Sequence, residues 1–213
     1  MIRRFYLFCM LIIIFQMPHA SSDIAPQSHS IEKMMSFTNI PKMATSRVTQ
    51  SSLPSPYNYL LTQPLMTKGL EKYYQRTPII QTIYAKKNKH DNTYYRAIIM
   101  LVDSNKTRNN PELAQKKKEA AVIELAFIRM NFNELPKKVI ADVLNTNIPF
   151  GKLLLNNHIK TFSTDRSYFS IKCNEAFSSL MRCKLNSQLY GRTNSLIRMD
   201  NNRLIAHVVE ILP

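Results

Sequence analysis

Glycine is scarce in this chain, with only 3 in 213 residues, and tryptophan is absent. Gly69, Gly151 and Gly191 lie far apart. A P-loop, a G-x-G-x-x-G turn and a G-x-S-x-G elbow each need clustered glycines to bring backbone against phosphate or to hold a strained turn, so none can be assembled. Nucleotide-dependent and serine-hydrolase chemistries are therefore disfavoured. The histidines, His19, His29, His90, His158 and His207, show no H-E-x-x-H or comparable spacing, and no metal site is expected. Acidic residues are also few, 14 against 29 Lys+Arg, for a formal net charge of +15. Such basicity raises nucleic acid or an anionic membrane as partners. However, Lys86, Lys87 and Lys89 flank a polar turn and Lys116 to Lys118 sit in a polar insertion, without the interleaved aromatics of a single-strand-binding groove. Both clusters read as solvated, and no nucleic-acid partner is expected.

Long apolar runs are missing too, apart from Phe5 to Phe15 at the start. Arg3 and Arg4 precede that run and Ala20-Ser21-Ser22 follow it, which predicts a secretory signal peptide over residues 1–20. The run is short against the roughly 20 residues a bilayer span needs, so no stable membrane span is expected after cleavage. The protein is then exported, periplasmic or secreted. Residues 21–55 carry serines and prolines without an apolar period and read as a flexible linker. Residues 56–213 form one domain around one core. Cys9 leaves with the leader, while Cys173 and Cys183 remain as an even pair in an oxidising compartment. A disulfide is the natural expectation, with two reduced buried thiols as the alternative; the spacing is not that of a redox-catalytic C-x-x-C pair.

β-branched and aromatic residues mark strands at Ile79 to Tyr84, Thr93 to Val102 and 121–130, with a long polar insertion from Asp103 to Glu119. Val139, Ile140, Val143 and Leu144 recur at helical spacing, and a second helix starts at Pro149. Further strands cover Ser167 to Cys173, Gln188 to Met199 and Leu204 to Leu212, the last two joined at Asp200-Asn201-Asn202. Hairpin-length connections with a helical insert predict an α+β fold on an antiparallel sheet.

Two charged residues interrupt apolar rows. Alternation puts Arg96 on one face with Tyr94, Ile98, Met100 and Val102, and puts Glu210 on one face with Leu204, Ala206, Val208 and Leu212. A guanidinium among aliphatic side chains keeps its charge and needs an anion, from a protein carboxylate or from a ligand. For Glu210, desolvation favours the neutral acid and a nearby arginine favours the anion, a competition that suits proton donation. A direct Arg96–Glu210 salt bridge is the purely structural alternative.

Several segments taken in order resemble the chorismate pyruvate-lyase family: Met66-Thr67-Lys68, Tyr95-Arg96, Ile148-Pro149-Phe150-Gly151-Lys152-Leu153-Leu154-Leu155, Arg166, Tyr190-Gly191-Arg192 and the terminal stretch from Leu204 to Pro213. The resemblance implies a six-stranded antiparallel sheet with helices around an enclosed ligand cavity. It implies a cofactor-free lyase that releases pyruvate from chorismate, or from a related carboxylated ring, to give 4-hydroxybenzoate, a step of ubiquinone biosynthesis. By position, Arg96 would hold the ring carboxylate, with the backbone at Met66 and Phe150 completing the grip. Glu210 would assist proton movement at the far end of the ligand; it is preferred to Val209 because that position requires a carboxylate and a bulge can supply the offset. The chain departs from the family at Ala126-Phe127-Ile128-Arg129-Met130-Asn131, which lacks an arginine and a proline, and in the insertion holding Cys173 and Cys183.

Export separates a lyase from cytoplasmic chorismate, which keeps a second reading in view: a non-catalytic exported binding protein for a small aromatic or cyclic carboxylic acid. The fold expected here also resembles the ligand-sensing half of some transcription regulators. The leader and the lack of an N-terminal helix-turn-helix argue against that third reading.

Overall fold

In the computed structural model, Ser36 and residues 44–213 are described. The leader expected over residues 1–20 and most of the linker expected over 21–55 lie outside the described residues. Seven antiparallel strands form one sheet: β1 (Thr45–Val48), β2 (Ile79–Asn88), β3 (Thr93–Asp103), β4 (Ala120–Asn131), β5 (Thr161–Lys172), β6 (Gln188–Arg198) and β7 (Leu204–Leu212), in the order β1-β5-β6-β7-β4-β3-β2. The helices are α1 (Tyr57–Leu60), α2 (Met66–Tyr74), α3 (Pro111–Lys116), α4 (Lys137–Asn145), α5 (Phe150–Asn156) and α6 (Glu175–Met181).

The α+β antiparallel architecture agrees with the sequence, whereas the count of six strands is corrected to seven. The extra strand is β1, from the segment read as linker. Its burial pattern shows no apolar face, and it exists because its backbone pairs with the β5 edge, Thr45 opposite Ile171 and Val48 opposite Tyr168. The polar insertion after Asp103 also carries a short helix. Asn110 caps α3 by accepting from the Leu113 amide at 2.9 Å, and Pro111 occupies its first turn, where a missing N–H costs nothing.

Alternation sorts the side chains onto two layers. One face of the sheet packs Ile98, Met100, Ile128 and Val208 against Leu70, Val139 and Leu153 from α2, α4 and α5. The other face packs Ala97, Leu125, Phe127 and Val209 against Ala114 of α3 and Phe177 of α6. Cys173 and Cys183 form a disulfide that clasps α6, with Cα atoms 6.2 Å apart. Among the described residues, no helix is long and apolar enough to cross a membrane.

Candidate functional site

Between the sheet and the first helical layer lies a cavity, walled by Ile98, Met100, Ala126 and Ile128 from the sheet and by Leu65, Met66, Thr67, Pro149, Phe150 and Gly151 from the starts of α2 and α5. The cavity volume is about 50 Å³, room for about three to five waters, the bulk of one small ring. The two helix starts that close it are braced together. A Cβ on Gly151 would lie 2.9 Å from Thr67 Oγ1, so glycine permits this approach, and Lys152 Nζ meets Glu71 Oε1 at 2.9 Å.

The structure brings Met66, Arg96, Phe150 and Glu210 to this one cavity. Arg96 and Glu210 do not pair. β4 stands between their strands, and Arg96 opposes Ile128 whereas Glu210 opposes Ala126, which offsets the two by two residues as well as about 10 Å across the sheet. Arg96 is buried and meets no carboxylate within ion-pair distance among the described residues. Its Nε and Nη2 donate to Thr82 Oγ1 at 3.0 and 2.8 Å, its Nη1 to the Val143 carbonyl at 3.0 Å, and Nη2 to the Thr146 carbonyl at 3.5 Å. Those carbonyls belong to the C-terminal end of α4, where unpaired acceptors and the helix dipole favour a cation. Burial still pulls the Arg96 pKa below the ordinary arginine value.

Glu210 has a different partner. Its Oε2 accepts from Arg192 Nε at 2.5 Å, and Arg192 also donates through Nη1 to the carbonyls of Leu61, at 2.9 Å, and Gln63. Arg192, 1% exposed, thus fastens the segment between α1 and α2 to β6 and β7. The sequence places Arg192 in a strand but does not reveal its ionic partner. Two further cavity residues were missed. Glu124 is 2% exposed with no hydrogen bond, and burial first, then the nearby Glu210 charge, push its carboxyl well above the ordinary range, with Arg192 opposing. The Asn194 Oδ1 is buried without a donor. The parity that picked out Arg96 and Glu210 also marks Glu124, an acid on the same face as Ala126 and Ile128.

On the opposite face, His207 accepts from or donates to Ser195 Oγ at 3.0 Å, and half-burial lowers its pKa. Among the described residues no group of three or more His, Cys, Asp or Glu is placed to hold a metal ion.

No protein-family model matches the chain, and no curated protein matches it. Among solved structures, a Staphylococcus aureus gene product aligns at 12% identity over 72% of this chain and 90% of its own, with a TM-score of 0.48. The effector domain of PhnF from Mycobacterium smegmatis aligns at 7% identity over 68% and 86%, with a TM-score of 0.47. A GntR-family transcriptional regulator from Enterococcus faecalis aligns at 10% identity over 62% and 91%, with a TM-score of 0.40. Likenesses at these values assign no function to this chain.

The lyase expectation is corrected. No family model and no curated protein supports the resemblance to chorismate pyruvate-lyase, and none of the aligned structures just named is described as a lyase. The site concurs. Glu210, assigned to move a proton, is bound by Arg192 as an acceptor, and the arginine and proline missing from 126–131 leave the family's pattern incomplete. Pyruvate release and a place in ubiquinone biosynthesis are withdrawn with it. The exclusion of nucleic acid rested on lysine placement alone and is not carried further.

Proposed function

We propose that this domain is a non-catalytic receptor for a small aromatic or cyclic carboxylic acid, enclosed between the sheet and the starts of α2 and α5. One observation carries the reading: Arg96 is a buried guanidinium on the cavity wall whose charge meets only neutral oxygens. Carbonyls and a hydroxyl orient it but cancel only part of its charge. A ligand carboxylate would complete the neutralisation in a dry site, where a charge-assisted hydrogen bond is strongest. The apolar wall of Ile80, Ile98, Met100 and Ile128 suits a ring rather than a chain of hydroxyls. In this reading the domain works outside the cytoplasm, in a compartment where the Cys173–Cys183 bond persists.

Calorimetric titration of the full chain with benzoate and 4-methylbenzoate tests the assignment. Micromolar to low-millimolar binding is expected for the wild type. Arg96→Ala should weaken it at least tenfold while shifting the melting temperature little, because α4 and Thr82 still pack without the guanidinium. Unchanged affinity in Arg96→Ala, or no binding of either acid by the folded wild type, refutes the proposal.

A further inference from the structure

Beyond the Arg96 end, the cavity presents polar groups that the reading above leaves idle. Glu124 sits opposite Met100, four residues along β3 from Arg96. Its carboxyl is buried, 2% exposed, and takes part in no hydrogen bond or ion pair among the described residues. The Asn194 side chain is 4% exposed, and its Oδ1 has no donor among the described residues. Glu210 accepts from Arg192 through Oε2 alone. Three acceptor groups from β4, β6 and β7 therefore line one cavity, and polar groups buried without partners are costly unless something fills them.

The chemistry of the missing partner follows from counting protons and charges. A hydroxyl brings one donor and no charge. A protonated primary amine brings three donors, together with a positive charge that favours the ionised form of both neighbouring carboxyl groups. We propose that this end of the cavity binds an ammonium group, so that the ligand is a ring-bearing amino acid with its carboxylate at Arg96 and its amine among Glu124, Asn194 and Glu210. The assignment rests on the Arg96 reading and extends it.

A proton moves when such a ligand enters. Without a cation beside it, burial and the Glu210 charge favour the neutral acid at Glu124. On arrival of the cation, the Glu124 O–H bond breaks, the proton passes to solvent, and the carboxylate pairs with the ammonium. The charged groups that share the cavity with Glu124 are Glu210 on β7, Arg192 on β6 and, at the far end, Arg96 on β3; the starts of α2 and α5 contribute Met66, Thr67 and Phe150, none of them charged. With Glu124 protonated these sum to one excess positive charge, and with Glu124 ionised beside a bound zwitterion the sum is zero.

The test compares 4-(aminomethyl)benzoate, 4-(hydroxymethyl)benzoate and 4-methylbenzoate by calorimetry on the full chain at pH 7, in two buffers of different ionisation enthalpy. The amine is expected to bind at least tenfold more tightly than the alcohol and to release protons. Glu124→Gln should erase the preference for the amine over the alcohol together with the proton release. If that variant fails to fold, the wild-type preference and proton count decide alone. Binding of all three probes with similar affinity and no proton release overturns this inference and leaves the carboxylate receptor standing. Failure of all three to bind overturns both.

Discussion

Glu124 gives up hydration on folding and, among the described residues, receives no hydrogen bond in exchange, so the native state favours its neutral form. The consequence for stability has a definite sign. Below the ordinary glutamate value of 4.5 the group is protonated in both the folded and unfolded chain. Above it the unfolded chain ionises while the folded one retains its proton. Stability is thus fully present at low pH and falls as pH rises towards the elevated folded value, by about 1.4 kcal/mol for each pH unit in that window. Glu124→Gln has nearly the same shape and never ionises. Its melting temperature should match the wild type near pH 4 and exceed it at pH 8; an equal difference at both pH values contradicts the assignment. At this scale the sequence was partly legible. Alternation exposed Arg96 and Glu210 as charges in apolar rows, yet Glu124, in the run from 121 to 130, obeyed the same parity and went unread. Nothing local to that strand says that its face borders a cavity.

Among the elements, the long strands β3, β4, β6 and β7 were legible because their burial on the sheet demands dense apolar and β-branched residues. β1 was not, since an edge strand formed by backbone pairing needs no apolar pattern of its own. The helix α6 lies between these cases. Asn174 caps it by accepting from the Phe177 amide at 2.9 Å, but its seven residues are too few to stand alone. Phe177 and Met181, both buried, and the Cys173–Cys183 bond hold it to the sheet. Closing a loop with a sequence separation of 10 restricts the unfolded chain, and replacing both cysteines with serine should cost about 2 to 3 kcal/mol. Urea unfolding of the double variant against the oxidised wild type measures that loss. A change below a few tenths of a kcal/mol would mean that α6 is held by packing alone.

For the molecule as a whole, Arg192 is the junction between the sheet and the layer that closes the cavity. It joins Glu210 on β7 to the Leu61 and Gln63 carbonyls before α2. Removing one member of a buried pair strands the other, so Arg192→Met should destabilise by about 3 to 5 kcal/mol. The double variant Arg192→Met with Glu210→Met should cost less than the sum of the two single changes, because neither charge is then left alone. Denaturant titration of all four proteins gives the coupling, and strict additivity would show that the pair acts independently.

Composition, alternation and capping residues by themselves determined that this is an antiparallel α+β domain and which side chains share each strand face, because those properties depend on neighbours within a few residues. Only the tertiary structure decided that Glu210 meets Arg192 and not Arg96, that Arg96 ends on the carbonyls of α4, and that Glu124 and Asn194 face the same void. Strand order and register join residues far apart in the chain, and the energy of a buried charge is set by what that long-range pairing brings within a few ångströms of it.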